Sequence, residues 1–309
     1  MISRKSRVYV AGHQGLVGSA LMRKLKSERY QNIITRTFAQ LDLRKQADVH
    51  NFFAKEKPEY VFLAAAKVGG IQANIDFPAE FLYDNLLIAA NVIDAAYRAG
   101  VKKLLFLGSS CIYPRNCSQP IKEEYLLSDC LEKTNEPYAI AKIAGIKLCQ
   151  AYNRQYGTNF ISCMPTNLYG PHDNFNLQTS HVIPALIAKM VAAQKEKKKQ
   201  VTVWGSGRPR REFLFVDDLV DALLFLMKNY SGGELINIGV GQDVTIAELA
   251  NQIKDAVQFD GALVFDRSMP DGTPQKLLDV TKLKKTGWVA QTSLQEGLQK
   301  TVAWYKRSF

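Results

Sequence analysis

Through the first half of the chain, short unbroken apolar runs alternate with longer stretches whose apolar residues recur every three or four positions. Residues 8–12, 32–35, 60–63, 104–108 and 160–164 have the length and composition of strands. Between them, residues 18–26, 46–56, 78–99 and 138–156 carry helical patterning. Strands joined through helices pair in parallel, and a parallel sheet must be covered on both faces. The pattern therefore predicts an α/β fold, a Rossmann-type parallel sheet with helices on both faces.

After Pro165 the rhythm changes. Residues 180–195, 217–229, 245–257 and 294–306 read as helices, 201–204 as a strand, and 235–238 as a strand returning to the first sheet. No repeat or low-complexity linker parts the halves. The expected division is a Rossmann domain over 1–170, with 213–240 returning to it, and a smaller mixed α/β C-terminal substrate lobe over 171–212 and 241–309. The active site is expected between them.

Composition narrows the function classes. A chain of 309 residues, 47% hydrophobic, has enough apolar material for one large or two intimate cores. No apolar run reaches the length of a membrane span, so no membrane partner is expected. The basic start, Met1 to Arg7, runs straight into a strand with no cleavage-type signal, and a cytoplasmic location is expected. Five cysteines (Cys111, Cys117, Cys130, Cys149, Cys163) without metal-type spacing read as reduced thiols, and no metal is expected. The net charge is +11, part of it in Lys195, Lys197, Lys198 and Lys199, a run that reads as a solvated loop. Nucleic acid is not an expected partner. A small phosphate-rich ligand is enough to use such a charge.

Gly12, Gly15 and Gly18 form G-x-x-G-x-x-G after the first strand and at the start of a helix. Glycines there let the backbone turn tightly and approach a pyrophosphate, whose charge the helix amides favour. The loop 12–18, including Gln14, Leu16 and Val17, is the expected pyrophosphate cradle of a dinucleotide. The second strand ends in Thr35-Arg36-Thr37, with no carboxylate before Asp42. Arg36 suits a 2′-phosphate, which points to NADP, and Asp42-Leu43 are placed to meet the adenine. Leu63, Ala64 and Ala65 end the third strand with small side chains that let a cofactor lie on the backbone.

Tyr138 and Lys142 stand four residues apart, one turn apart on one helix face. A free phenol titrates near 10. A nearby ammonium and an oxidised nicotinamide are expected to lower that value and ready Tyr138 for proton transfer. Leu107 and Gly108 end the fourth strand, Ser109 and Ser110 follow it, and the Ser109 hydroxyl can bond the same substrate oxygen.

With these residues in view, the chain resembles the extended short-chain dehydrogenase/reductases that act on nucleotide sugars, along essentially its whole length. Arg211-Glu212-Phe213, Val216-Asp217-Asp218 and Ile236-Asn237-Ile238-Gly239 carry the broad likeness. A narrower likeness is to members that invert C3 and C5 of GDP-4-keto-6-deoxy-D-mannose and reduce C4 to give GDP-L-fucose. It rests first on Ala66-Lys67-Val68-Gly69-Gly70-Ile71, Gly108-Ser109-Ser110-Cys111-Ile112-Tyr113-Pro114 and Asn135-Glu136-Pro137-Tyr138-Ala139-Ile140-Ala141-Lys142. The runs 164–174, 181–186 and Pro270-Asp271-Gly272-Thr273 complete it.

The resemblance implies an enzyme in which Cys111 is the base and His181 the acid of epimerisation. Ser109 would support the C4 oxygen, NADPH would supply hydride, and Tyr138 would supply the proton. Lys142 would hold the nicotinamide ribose, and Pro165, Thr166, Asn167 and Leu168, with His181, would line the nicotinamide pocket. The GDP-sugar would be held by Lys189, Trp204, Arg211 and Asp271, with Asn167 orienting its sugar. Gln14 and Phe38 stand where relatives carry arginines for the 2′-phosphate, so Arg36 bears that role alone. A homodimer through the helices at 78–99 and 138–156 is implied, with Phe81, Leu82, Leu86, Leu87 and Ile88 as the surplus apolar face. The alternative is another nucleotide-sugar 4-epimerase or reductase of this family using NAD(P), against which Cys111 speaks.

Overall fold

The computed structural model describes residues 1–269 and 271–309; Pro270 of the run quoted above, and the side chain of Ile71, lie outside the described residues. β1 (Arg7–Ala11) leads into α1 (Leu16–Ser27), β2 (Asn32–Ile34) into α2 (Gln46–Glu56), and β3 (Tyr60–Leu63) into α3 (Ile71–Asp76) and α4 (Pro78–Arg98). β4 (Lys103–Leu107) precedes α5 (Glu136–Tyr156), β5 (Phe160–Pro165), β6 (Asn167–Tyr169) and α6 (Val182–Lys195). β7 (Gln200–Trp204), β8 (Arg210–Arg211) and β9 (Phe213–Phe215) lead to α7 (Val216–Asn229) and β10 (Ile236–Ile238). β11 (Val244–Thr245), α8 (Ile246–Val257), β12 (Ala262–Asp266), β13 (Gln275–Lys276), α9 (Thr281–Lys285) and α10 (Leu294–Ser308) complete the chain.

Six strands form one parallel sheet in the order β10-β5-β4-β3-β1-β2, the Rossmann-type arrangement that the alternation predicts. Every residue of β3, β4 and β5 is buried, which is why these strands read as unbroken apolar runs. Val49 and Phe53 of α2, Val92 and Ile93 of α4 and Ile146 of α5 cover one face. Leu21 and Leu25 of α1, with Leu219 and Leu223 of α7, cover the other. A third cluster, including Ile187, Leu249, Ile253 and Leu298, joins α6, α8 and α10.

Because β1 lies between β2 and β3, the chain leaves it on one side and returns on the other. That reversal opens a crevice at the carboxyl ends of β1 and β3, where open α/β sheets bind ligands. One boundary moves for a local reason. The helix expected from residue 180 begins at Val182, because the Asn176 carbonyl accepts from the amides of Thr179 (3.2 Å) and Ser180 (2.9 Å) and holds them in a turn. The short strands β6, β8, β9, β11, β12 and β13 have no counterpart in the periodicity; β6 pairs with β9, β8 with β11 and β13, and β7 with β12.

Lys103 begins the central strand β4 yet is only 5% exposed. Its ammonium donates to the carbonyls of Leu226 (3.0 Å), Met227 (2.9 Å) and Tyr230 at the C-terminal end of α7, where the helix dipole favours a cation. Lys103→Met keeps the length and removes the donors. It is expected to destabilise the fold by about 2–3 kcal/mol, read as a lower urea midpoint at unchanged slope.

Candidate active site

The crevice is built by close approach of two backbones. A Cβ on Gly12 would stand 2.8 Å from the Ala65 backbone, and Gly12 also takes a φ of +83°. A Cβ on Gly18 would meet the Gly12 carbonyl oxygen at 1.9 Å, so α1 presses directly on the turn. At Gly15 the nearest protein atom to such a Cβ is 3.7 Å away, so packing within the chain does not demand glycine there; an approaching ligand does. Gly15 opens α1 with no side-chain cap and no acidic residue in the first turn, leaving amides free for an anion. Gln14 is exposed beside them. These residues fit a dinucleotide pyrophosphate.

Arg36 donates to Glu56 at 2.6 Å and to its neighbour's carbonyl, Thr35 O, at 2.7 Å, with its guanidinium 5.3 Å from the Phe52 ring. Asp42 is gripped by Arg44 through both carboxylate oxygens at 2.9 Å, which holds its carboxyl below the usual range. The Leu43 side chain is buried and its carbonyl accepts from Asn91 at 2.9 Å, which fixes the backbone beside Asp42. Asn85 of α4 clamps Lys67 from both sides, accepting from its amide at 2.9 Å and donating to its carbonyl at 3.0 Å. That clamp fixes the loop following Leu63, Ala64 and Ala65, and the sequence reading passed over it.

At the end of β4, the Gly108 amide donates to Cys163 O at 2.8 Å, and a Cβ on Gly108 would collide with Met164 at 2.3 Å. Ser109 then caps a single 3₁₀ turn at 110–112, accepting from the Cys111 amide at 3.4 Å. The turn buries Ser110 and leaves Cys111 half-buried. Tyr138, in the first turn of α5, stands near Ser109 and lies edge-on to Phe81 at 6.2 Å. Phe81 is thereby buried within its own chain, which corrects its placement on an outward apolar face. Lys142 is 4% exposed, donates to Leu107 O at 2.8 Å and stands 5.7 Å from the Tyr138 ring centre.

Burial dominates the electrostatics. It pushes the Lys142 ammonium down to about 8. It pushes the Tyr138 phenol above its ordinary value, helped by Cys111 and opposed by Ser109. The expectation that Lys142 lowers the phenol is therefore corrected: the cation is itself desolvated and turned onto a carbonyl. Burial also raises the Cys111 thiol, while Lys276, Ser109 and Lys142 pull it back. His181 is the N-cap of α6; its surface stays open to solvent, yet the protein packed round the ring and the Lys276 charge both lower it, and among the described residues no acid compensates.

Lys276 is the group the sequence reading missed. It lies in the two-residue strand β13, faces Cys111, Cys117, Arg211 and His181, and is lowered by burial. Glu212, fully buried, holds this region together. Its side chain accepts from the amides of Val240 (2.6 Å), Gly241 (2.7 Å) and Leu278 (3.0 Å). Its carbonyl accepts from Thr166 at 3.1 Å and Asn167 at 2.8 Å, and Thr166 in turn donates its amide to Ile238 O. Pro165 ends β5 and Leu168 is partly buried beside them.

Of the expected substrate residues, Trp204 is 56% exposed, so it is no core residue; Lys189 sits 5.1 Å from its ring. Asp271 is tied to Ser206 through the amide at 2.6 Å and the hydroxyl at 2.7 Å, which brings the 271–273 segment against the end of β7. Burial lowers both Arg211 and Lys189, and Asp271 partly restores Arg211. Arg211 and Lys276 thus stand side by side on β8 and β13, a cationic pair suited to a diphosphate. Arg36 and Asp42 stand apart at the far end of the crevice, beyond β1.

The model of the NAD dependent epimerase/dehydratase family matches residues 8–239. The chain is 56% identical over 308 residues to GDP-L-fucose synthase 1 of Arabidopsis thaliana, covering all of this chain and 95% of that protein. It is 52% identical to GDP-L-fucose synthase of Escherichia coli K12, with 97% of each covered. A solved GDP-L-fucose synthetase from Naegleria fowleri bound to NADP superposes with a TM-score of 0.93 at 32% identity, over all of this chain and 96% of that one. A match over that much of the chain, with full-length relatives above half identity, makes the protein a member of the NAD dependent epimerase/dehydratase family.

Proposed function

We propose that the protein inverts C3 and C5 of GDP-4-keto-6-deoxy-D-mannose and reduces its C4 ketone with NADPH, forming GDP-L-fucose. One juxtaposition carries the reading: a thiol, a serine hydroxyl and a phenol gathered at the end of β4, with His181 and Lys276 facing the same thiol region. The names of the relatives agree, and the neighbour's bound NADP supports the cofactor.

The C4 ketone acidifies the hydrogens at C3 and C5. Cys111 withdraws a proton from one ring face and His181 returns one to the other. Ser109 donates to the C4 oxygen as negative charge gathers there. When bound, NADPH supplies the hydride. Tyr138 then protonates the C4 oxygen, and a phenol kept neutral by burial is the form that can donate. Lys142 orients the ribose. Lys189, Arg211 and Lys276 hold the diphosphate, Trp204 packs on the nucleotide, and Asp271 and Asn167 take hydroxyls.

The dinucleotide domain is assigned to 1–170 with 213–240, and the substrate lobe to 171–212 with 241–309. Leu86 of α4 is exposed, and so are Tyr83, Tyr97, Ile140 and Tyr156 on α4 and α5, which suits a homodimer through these two helices. Among the described residues no helix is long and apolar enough to cross a membrane, and all five cysteines are free, in keeping with a cytoplasmic enzyme.

The test is NADPH oxidation on adding GDP-4-keto-6-deoxymannose. Tightly held NAD with no net NADPH consumption would favour the 4-epimerase alternative instead. Arg36→Ala is expected to raise the KM for NADPH about tenfold and leave that for NADH unchanged, because only the former carries a 2′-phosphate. Equal changes for both cofactors would remove Arg36 from that role.

A further inference from the structure

Two inversions on one ring set a proton balance that one base and one acid do not close by themselves. At the first carbon the C–H bond breaks and its proton passes to the Cys111 sulfur. His181 protonates the opposite face of the same carbon. The step leaves a thiol where a thiolate began and a neutral imidazole where an imidazolium began. Before the second inversion the thiol must lose one proton to water and the imidazole must gain one. His181 is exposed at the cleft mouth, so solvent reaches it. Cys111 is half-buried, and a sugar ring seated over it closes its open side.

A cavity lies beside Cys111, lined also by Gln119, Glu132, Asn135, Thr273 and Lys276. Ser109, Tyr138 and His181 are not part of its lining. It has about 30 Å³ of room for water centres, against the roughly 10–15 Å³ that one water requires. Gln119, Glu132 and Lys276 give the lining polar side chains, and a water needs roughly two to four such partners to stay. Arg115, paired with Glu132 at 3.1 Å and half exposed, joins the cavity to the surface.

We propose that this cavity is the proton exit of the epimerisation base. Water in the cavity accepts the proton from the Cys111 thiol, becomes hydronium and hands the charge to bulk water past Arg115 and Glu132. The thiolate is restored facing Lys276, and His181 takes its replacement proton from solvent at the mouth. The inference rests on the reading of Cys111 as base.

The test uses the full-length enzyme in excess over GDP-4-keto-6-deoxymannose in D2O, without reductant, with deuterium at C3 and C5 followed by NMR. Asn135→Leu fills the cavity from one wall and Thr273→Leu from another; NADPH binding stoichiometry checks that each variant is folded. In both, uptake at the first-exchanging carbon is expected within about twofold of wild type, and at the second slower by at least about tenfold. Asn135→Asp, which keeps the volume of that wall, is expected to behave as wild type. Equal slowing at both carbons, or no slowing at either, overturns the exit. Cys111→Ala tests the parent reading separately: full uptake by that variant removes the thiol as base, whereas lost uptake with unchanged cavity variants removes the exit alone.

Discussion

Tyr138→Phe is expected to lower the rate of NADPH-dependent reduction by about 10²–10⁴-fold and to leave deuterium uptake at C3 and C5 within a few-fold of wild type. Phenylalanine keeps the ring that packs edge-on to Phe81, so the substitution removes the oxygen and little else. Hydride addition leaves an alkoxide at C4, and without the phenol that charge has no proton donor beside Ser109. Near-normal turnover would remove Tyr138 from the mechanism. The same geometry fixes a pH dependence. Lys142 is pushed down to about 8, below its ordinary value, so its ammonium is present below that pH and lost above it. The kcat/KM of reduction is therefore expected to fall as pH rises through about 8, and the fall should be absent in Lys142→Arg, whose guanidinium does not deprotonate.

Cys111→Ser separates the two chemistries. A serine hydroxyl ionises far above a thiol, so the variant loses its base, and deuterium uptake at C3 and C5 is expected to fall by about 10²–10⁴-fold. Ser109, Tyr138 and Lys142 are untouched, so the ketone is still reduced, and the product retains its original configuration at C3 and C5. In the wild type, burial raises the thiol, so the rate of uptake is expected to climb with pH above neutrality as thiolate forms. Full uptake by Cys111→Ser would exclude the thiol as the base.

The parts that were legible in the sequence are those with a period or a fixed spacing. Strands β3 to β5 announced themselves as apolar runs because both their faces are covered. Gly12, Gly18 and the Tyr138–Lys142 spacing each follow from one local geometric demand. What stayed hidden depends on residues far apart. β6 and β9 place Asn167 beside Phe213, and β8 and β13 place Arg211 beside Lys276; strands of two or three residues carry no period. Lys276 matters through that pairing, and Glu212 through amides distant in the chain, so no local pattern reveals either role. The direction of the Tyr138 shift was misread for a related reason: spacing reports the neighbouring ammonium and says nothing of the desolvation that outweighs it. Phe81 likewise looked outward by periodicity, yet the phenol covers it.

The central claim is that one cleft performs both inversions and the reduction. The most direct measurement is incubation of the wild-type protein with GDP-4-keto-6-deoxymannose and NADPH in D2O, with the product read by NMR. The account predicts GDP-L-fucose carrying solvent deuterium at C3 and C5, with one NADPH consumed per molecule formed. A reduced sugar with unaltered C3 and C5 and no deuterium at either carbon would contradict it.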